Sequence, residues 1–393
     1  MQMKLSKKQA DQATLKATLT KIRSKYGPNS ILTADKAKFL EVHRMSTGVY
    51  ALDFALGGGY PYGRYVHVFG AQSSGKTFLA MRAVAALHRD YPEAIAVWLD
   101  IEQVFDEARA TAVGIDLARL VVIRAPDIES SIRLAEEFLD DKSVKLFIID
   151  SVAAISLASE CEGDVEDQSM GSGARLLNRF MRRWIAKNTP KDNTVPHSVV
   201  LLLNQVRETI RRGGNPNIPV KPKPPGGHGL RFFSSIELEV RRGDIVELST
   251  KDEDAPKTVI GYETKVKVEK NNTFPPGRVA SFLLCVRPFK VGNYSLRPHQ
   301  VDDAADILRY GCYLNLITRG GAWYVYKDHK WKGKIAAQSA IAEDTALEKE
   351  LFTECMAKIY EKLGVKKKVK TESPARRSSS GGTQRKKTAG KRK

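Results

Sequence analysis

The sequence is poor in the residues from which extracellular scaffolds and metal centres are built. Four cysteines (Cys161, Cys285, Cys312 and Cys355) are scattered over 393 residues and form no CxxC pair. This argues against a disulfide framework or structural zinc, and for a reducing compartment. Seven histidines show neither HExxH nor HxH spacing, so a histidine-based metalloenzyme has no footing. No apolar run reaches the roughly 18 residues of a membrane-spanning helix. The opening MQMKLSKKQADQATLK has basic residues with no apolar segment behind them, unlike a secretory leader. The expectation is a cytoplasmic protein, neither secreted nor embedded in a membrane.

Positive charge, by contrast, is in excess. Lys and Arg number 64 against 45 Asp and Glu, a net +19 with pI ≈ 9.6, which suits a polyanionic partner. Residues 366–393 hold twelve Lys or Arg against one acid, Glu372, so +11 of the total lies there and +8 on the rest. That low-complexity stretch is expected to be a disordered basic tail over 365–393. The remainder is 42% hydrophobic and 28% charged when counted with it, as in globular domains with a sizeable core.

Along the chain, Ser6–Tyr26 has helical periodicity, with Ala10, Ala13, Leu15, Leu19 and Ile22 roughly on one face, and Gly27-Pro28-Asn29 stops it. The stripe needs cover, either from the chain's own body or from a neighbouring subunit. Short apolar runs then alternate with helical stretches, which predicts an α/β fold with a central, mostly parallel sheet. The strand candidates are Tyr65–Phe69, Ala94–Leu99, Lys145–Ile149, Val199–Leu203, Ile236–Val240 and Thr264–Val268. The second to fourth are nearly all apolar, as strands covered on both faces should be. Two segments break the alternation, Glu160–Gly173 and the Gly-, Pro- and Lys/Arg-rich Arg207–Gly229. Stretches of that length inside a domain are usually functional or disordered. A smaller α+β unit is expected from 289 to 364, with helices at Val301–Tyr310 and Asp344–Lys362 and a hairpin at AWYVYKDHKW. The predicted divisions are an arm (1–43), a core (44–288), this unit (289–364) and the tail.

Gly70-Ala71-Gln72-Ser73-Ser74-Gly75-Lys76-Thr77 fits G-x-x-x-x-G-K-[ST] between a strand and a helix. Glycines let the backbone bend around phosphate oxygens, and amides at the helix start point at the anion. Lys76 can reach the β- and γ-phosphates of a nucleotide, and the Thr77 hydroxyl can ligate Mg²⁺. Asp150 ends the apolar strand LFIID, where a second Mg²⁺-organising carboxylate belongs. Glu102, after the strand AVWLD, can activate the attacking water, but spacing leaves Asp100 and Asp106 as competitors. Asn204-Gln205 ends another strand and leads into the second long segment, where it can pass on the presence of a γ-phosphate. Arg175, Arg179, Arg182 and Arg183 form one basic cluster; Arg207, Arg211, Arg212, Lys221, Lys223 and Arg231 form another. Either could be a solvated face, or could track a phosphate backbone. Residues 207–229 contain no aromatic side chain, which argues against an ordinary base-stacking platform.

Together the segments STGVYALDFALGGGYPYGR, GAQSSGKT, LDIE, FIIDSVAAI, EGDVEDQSMGSGAR, LLLNQVR, PGGHGLRFF, GYETKVKVEKN and GAWYVY resemble the bacterial and phage RecA recombinases. The resemblance runs in family order over roughly residues 20 to 340. It implies a RecA-type P-loop ATPase core and a DNA-dependent ATPase that forms helical filaments on single-stranded DNA. Homologous pairing and strand exchange with duplex DNA would follow, with ATP held between adjacent subunits. It implies that Glu102 activates water, that Gln205 couples the γ-phosphate to the DNA loops, and that Asp106 contacts adenine. Met170, Arg175 and Arg182 would serve a first DNA loop; Arg207, Ile210, Gly226 and Gly227 a second. The helix over 6–26 would be a polymerisation arm. Single-strand-binding protein, loader proteins and an SOS-type repressor are implied partners.

Four departures stand out. Of two family lysines reaching across the subunit seam, Lys270 is present but Asn272 replaces its companion. Arg109 stands at the adenine-stacking tyrosine. The second loop is longer and proline-rich, and a basic tail replaces an acidic one. A ring-shaped helicase and an ATP-gated DNA coat or co-protease without strand exchange are the alternatives.

Overall fold

The computed structural model describes residues 2–27, 30, 31, 33, 42–155, 172–189, 196–206, 227–248 and 258–365. Met170, Arg207, Ile210, Gly226, most of both long segments and the basic tail lie outside them. A helix, Gln2–Tyr26, opens the chain. Short strands β1 (Arg44–Met45) and β2 (Tyr60–Pro61) pair with each other. The core strands follow: β3 (Tyr65–Gly70), β4 (Ile95–Asp100), β5 (Leu120–Ile123), β6 (Val144–Asp150), β7 (Val199–Gln205), β8 (Ser234–Leu248), β9 (Thr258–Asn271) and β10 (Val279–Cys285). They form one eight-stranded sheet, ordered β10-β9-β8-β3-β7-β6-β4-β5. From β8 through β5 neighbours run parallel, whereas β9 and β10 are antiparallel additions.

Alternation along each strand divides the core into two layers. One face carries Val66, Val68, Ala96, Trp98, Leu146, Ile148, Leu201 and Leu203 against Leu79, Ala83, Val84 and Leu87 of the helix Lys76–Asp90. The other carries Tyr65, Val97, Leu99, Phe147, Ile149, Val200 and Leu202. It is covered by the helices Ile128–Glu137 and Ser172–Asn188 through Ile132, Ala135, Leu177, Phe180, Met181 and Trp184. Coverage on both sides is why β4, β6 and β7 are apolar almost throughout. All six anticipated strands are present. The patterns of β5 and β10 went unread: β5 is only four residues long, and β10, near the sheet edge, has only intermittent burial.

The C-terminal part contains hairpin β11 (Phe289–Val291) and β12 (Tyr294–Leu296), and a three-stranded sheet of β13 (Thr318–Gly320), β14 (Trp323–Tyr326) and β15 (His329–Lys332). The helices Asp303–Tyr313, Lys334–Glu343 and Thr345–Lys362 pack around them. The second of these helices was not anticipated. Arg82 ties this part to the core, donating to the Gly48 carbonyl (2.9 and 2.6 Å) and pairing with Asp303 at 3.2 Å.

Trp184 is fully buried, lies 4.6 Å from the Tyr65 ring and donates to Ser198 Oγ at 3.0 Å. Trp184→Ala is expected to lower unfolding free energy by about 3–5 kcal/mol, measured by denaturant titration.

Candidate nucleotide site and nucleic-acid interface

Parallel registry sets the stage for chemistry. Gly70 on β3 lies beside Gln205 on β7, and Asp100 on β4 beside Asp150 on β6. Four strand ends therefore open on one edge of the sheet, where ligands of open α/β folds sit.

The Gly70–Thr77 loop is bent there by local sterics. A Cβ on Gly70 would lie 2.2 Å from the Val240 carbonyl oxygen, so only glycine fits. Gly75, at the helix N-cap, has φ 104°, open to glycine at little cost. Ser73 is also left-handed at φ 57°. Lys76 is 8% exposed and its Nζ donates to the carbonyls of Gly70 (3.1 Å) and Ala71 (2.7 Å). Burial pulls its pKa down, opposed by the charges of Asp150 and Glu102. Buried Ser74 Oγ has no partner among the described residues. An orphaned hydroxyl and an ammonium folded onto its own loop both fit an anionic ligand in this cradle.

Beside the loop, Thr77 Oγ1 donates to Asp150 Oδ2 at 3.2 Å. Asp150 is 5% exposed, and burial first, the charge of Glu102 second, push its carboxyl up to about 7. Glu102 Oε1 accepts from the Ser151 hydroxyl and from Gln205 Nε2, the latter at 3.2 Å. Geometry separates the three acids that spacing could not. Asp100 is buried and committed to Arg124 Nε (2.6 Å) and to the amides of Val104 (3.0 Å) and Phe105 (3.1 Å). Asp106 caps the helix Glu107–Val113 by accepting from the Arg109 amide (2.9 Å). Arg109 and Asp106 are half-exposed and paired with each other at 3.8 Å. His299 is close enough to feel both charges. Only Glu102 joins the ends of β6 and β7. Ser151, which directly follows Asp150 in FIIDSVAAI, is a further site residue that motif spacing does not single out.

Lys270 does not gather at this site. In register it is level with Glu237 and His67, two strands away from β3, about 10 Å at ordinary strand spacing. Its Nζ donates instead to the Arg231 carbonyl at 2.8 Å. Asn272 is exposed, its amide bonded to the Ser235 carbonyl.

The arginines of Ser172–Asn188 divide into two pairs. Arg179 and Arg183 turn to the nearly buried carboxylate of Glu136. Arg175 and Arg182 are exposed and line a hollow of ≈ 490 Å³ with Asn178, Arg179 and Glu129. Gly227 opens the helix Gly227–Phe233, on which Arg231 projects outward, 3.5 Å from Glu237 Oε2.

The RecA N-terminal domain family model matches residues 13–287. The chain belongs to the RecA family. RecA of Synechocystis sp. is 34% identical over 319 residues, spanning 79% of this chain and 80% of that protein. RecA of Streptococcus pneumoniae (strain Hungary19A-6) is 32% identical over 354 residues, spanning 89% and 84%. As a RecA-family member the protein is a cytoplasmic, ATP-binding, DNA-dependent ATPase. It forms filaments on DNA and carries out homologous pairing and strand exchange in recombination and repair. The alignments with these two relatives, 319 and 354 residues long, extend beyond the ATPase core into the C-terminal part, which sets the ring-helicase alternative aside. Among the described residues no helix is long and apolar enough to cross a membrane.

Asp150 gives a test of the site's electrostatics. Its carboxyl titrates near 7 when folded against 3.8 unfolded, so the folded state holds the proton more tightly and loses stability as pH rises. Asp150→Asn is therefore expected to stabilise the nucleotide-free protein. The gain should be small near pH 4, rise through pH 7 and level off above it at about 3 kcal/mol, as read from thermal melts across pH.

Proposed function

We propose that the Gly70–Thr77 loop, with Gln72 and Ser73 at its crest, binds the phosphates of ATP and that Thr77 and Asp150 hold Mg²⁺. The metal, when bound, would supply Lewis-acid stabilisation of charge on the phosphate oxygens. Lys76 exchanges the carbonyls of Gly70 and Ala71 for the anion. Glu102 is the base that orients and deprotonates the attacking water, and Gln205 is the sensor bonded to it. The hydrogen bond between Gln205 and Glu102 (3.2 Å) carries this reading, because β7 runs from it directly into the segment beginning at Arg207. A change at the γ-phosphate thus reaches the second DNA segment through one amide. Asp106 and Arg109 flank the adenine, the guanidinium stacking where an aromatic ring is usual.

The DNA strand is assigned to Met170, Arg175 and Arg182 on one side and to Arg207, Ile210, Gly226, Gly227 and Arg231 on the other. Lys270 serves the loop of a neighbouring protomer, a reading that its distance from its own loop supports. Asn272 removes one trans cation, so slower or differently coupled hydrolysis follows. The helix Gln2–Tyr26 is the polymerisation arm: Leu15 on its stripe is 54% exposed, so the chain's own body leaves it open. Arm, core, C-terminal unit and tail divide at 43, 288 and 364. Single-strand-binding protein, loader proteins and an SOS-type repressor remain proposed partners.

Glu102→Gln is expected to reduce DNA-stimulated ATP hydrolysis by about 10²–10⁴-fold while ATP-dependent binding to single-stranded DNA persists. Hydrolysis within threefold of the parent would reassign the base. Deleting residues 366–393 is expected to flatten the dependence of log K on log salt, since each phosphate contact contributes a slope of about −0.7 on single strands. An unchanged slope in fluorescence-anisotropy titrations would remove the tail from the interface.

A further inference from the structure

A row of buried polar side chains crosses the sheet beneath the helix Gly227–Phe233. Alternation puts Asn204 of β7, His67 of β3 and Glu237 of β8 on the face that also carries Tyr65, Val200 and Leu202. Asn204 is 0%, His67 1% and Glu237 4% exposed. His67 and Glu237 are register partners on adjacent strands. The Asn204 amide nitrogen lies 3.2 Å from His67 Nε2. In that arrangement Nε2 accepts, and the proton of the neutral ring resides on Nδ1. His67 Nδ1 has no partner among the described residues, and neither has Glu237 Oε1. A buried donor and a buried acceptor thus stand unsatisfied on neighbouring positions.

The other oxygen of Glu237 is neutralised from outside. Arg231 reaches it at 3.5 Å from a side chain that is 58% exposed, against 5% for the carboxylate. When Arg231 turns outward to a phosphate, Glu237 stays behind as a buried charge without its counter-ion, a strongly unfavourable state. We propose that His67 takes up a proton from solvent as Arg231 leaves Glu237 for a DNA phosphate, so that an imidazolium replaces the guanidinium as partner of the buried carboxylate. The proposal rests on the reading of Arg231 as a DNA contact.

The remaining charges around the ring do not compete for this role. Lys270, from β9, is bound to the Arg231 carbonyl, and Glu239, further along β8, is paired with Arg241 at 2.8 Å. β7 contributes the neutral amide of Asn204, and β3 itself places the Phe69 ring 5.2 Å from the imidazole. With Arg231 in place, burial first and the Arg231 charge second lower His67 to about 4, so the ring is neutral near pH 7. Withdrawing Arg231 removes one of those causes and leaves Glu237, the register partner of His67, without its counter-ion. The proton lands on Nε2, which then donates, so the Asn204 amide must turn its oxygen toward the ring. Asn204 immediately precedes Gln205, and the turn therefore reports DNA engagement to the end of β7 that holds Glu102.

The test is calorimetric titration of the full-length protein with an oligothymidylate and a non-hydrolysable ATP analogue. Buffers of different ionisation enthalpy count the protons exchanged near pH 7. The parent is expected to take up a fraction of a proton per protomer bound, with affinity rising by up to about tenfold for each unit that pH falls. His67→Gln and Glu237→Gln should both abolish that uptake. Glu237→Gln should bind no more weakly than the parent, because no buried charge is left behind. Circular-dichroism melts establish that each variant is folded, and two independent variants guard against loss of one. Weakened binding in Arg231→Ala, together with equal uptake in parent and both Gln variants, would overturn the proposal. Undiminished binding in Arg231→Ala would instead overturn the DNA-contact reading beneath it.

Discussion

The alignment of parallel strand ends is the constraint on which the molecule depends. Registry between β3 and β7, and between β4 and β6, brings Gly70, Gln205, Asp100 and Asp150 to one edge. Neither the bent loop nor the acids would make a site alone. The loop supplies amides and one ammonium, β6 supplies the carboxylate beside Thr77, and β7 supplies the amide that holds Glu102. Apolar strands covered on both faces fix that registry, because sliding one strand by a residue would turn its core side chains to the wrong layer.

Burial of charge is the second theme, and the structure uses it unevenly. Asp100 is buried but fully engaged with a guanidinium and two amides, so it stabilises the turn after β4. Asp150, nearly as buried, has a hydroxyl for a partner and Glu102 as a like-charged neighbour. Two carboxylates on paired strand positions thus have opposite fates. One is a structural anchor, and the other carries an electrostatic deficit that a cation would relieve.

Much of this was legible in the residues. The phosphate loop announced itself by spacing and by its strand–helix context, and continuous apolar runs marked the central strands. The choice of Glu102 over Asp100 and Asp106 was not readable from spacing, since all three lie at or just beyond the end of one strand and only folding reveals which are spent on Arg124 and a helix cap. The four arginines of Ser172–Asn188 looked equivalent for the same reason. Glu136, a distant residue in sequence, claims two of them. The row of Asn204, His67 and Glu237 was also hidden, because its members come from three strands and only the sheet registry brings them side by side.

Lys270 stands two strands from its own phosphate loop, its ammonium turned to a backbone carbonyl. If it serves the next protomer, each chain brings half of a reaction centre at either end. An assembly then contains one fewer complete centre than it has members, and a lone chain contains none. Length becomes a catalytic variable: short stretches turn over slowly per subunit and long ones approach a plateau, without any change in the protomer itself.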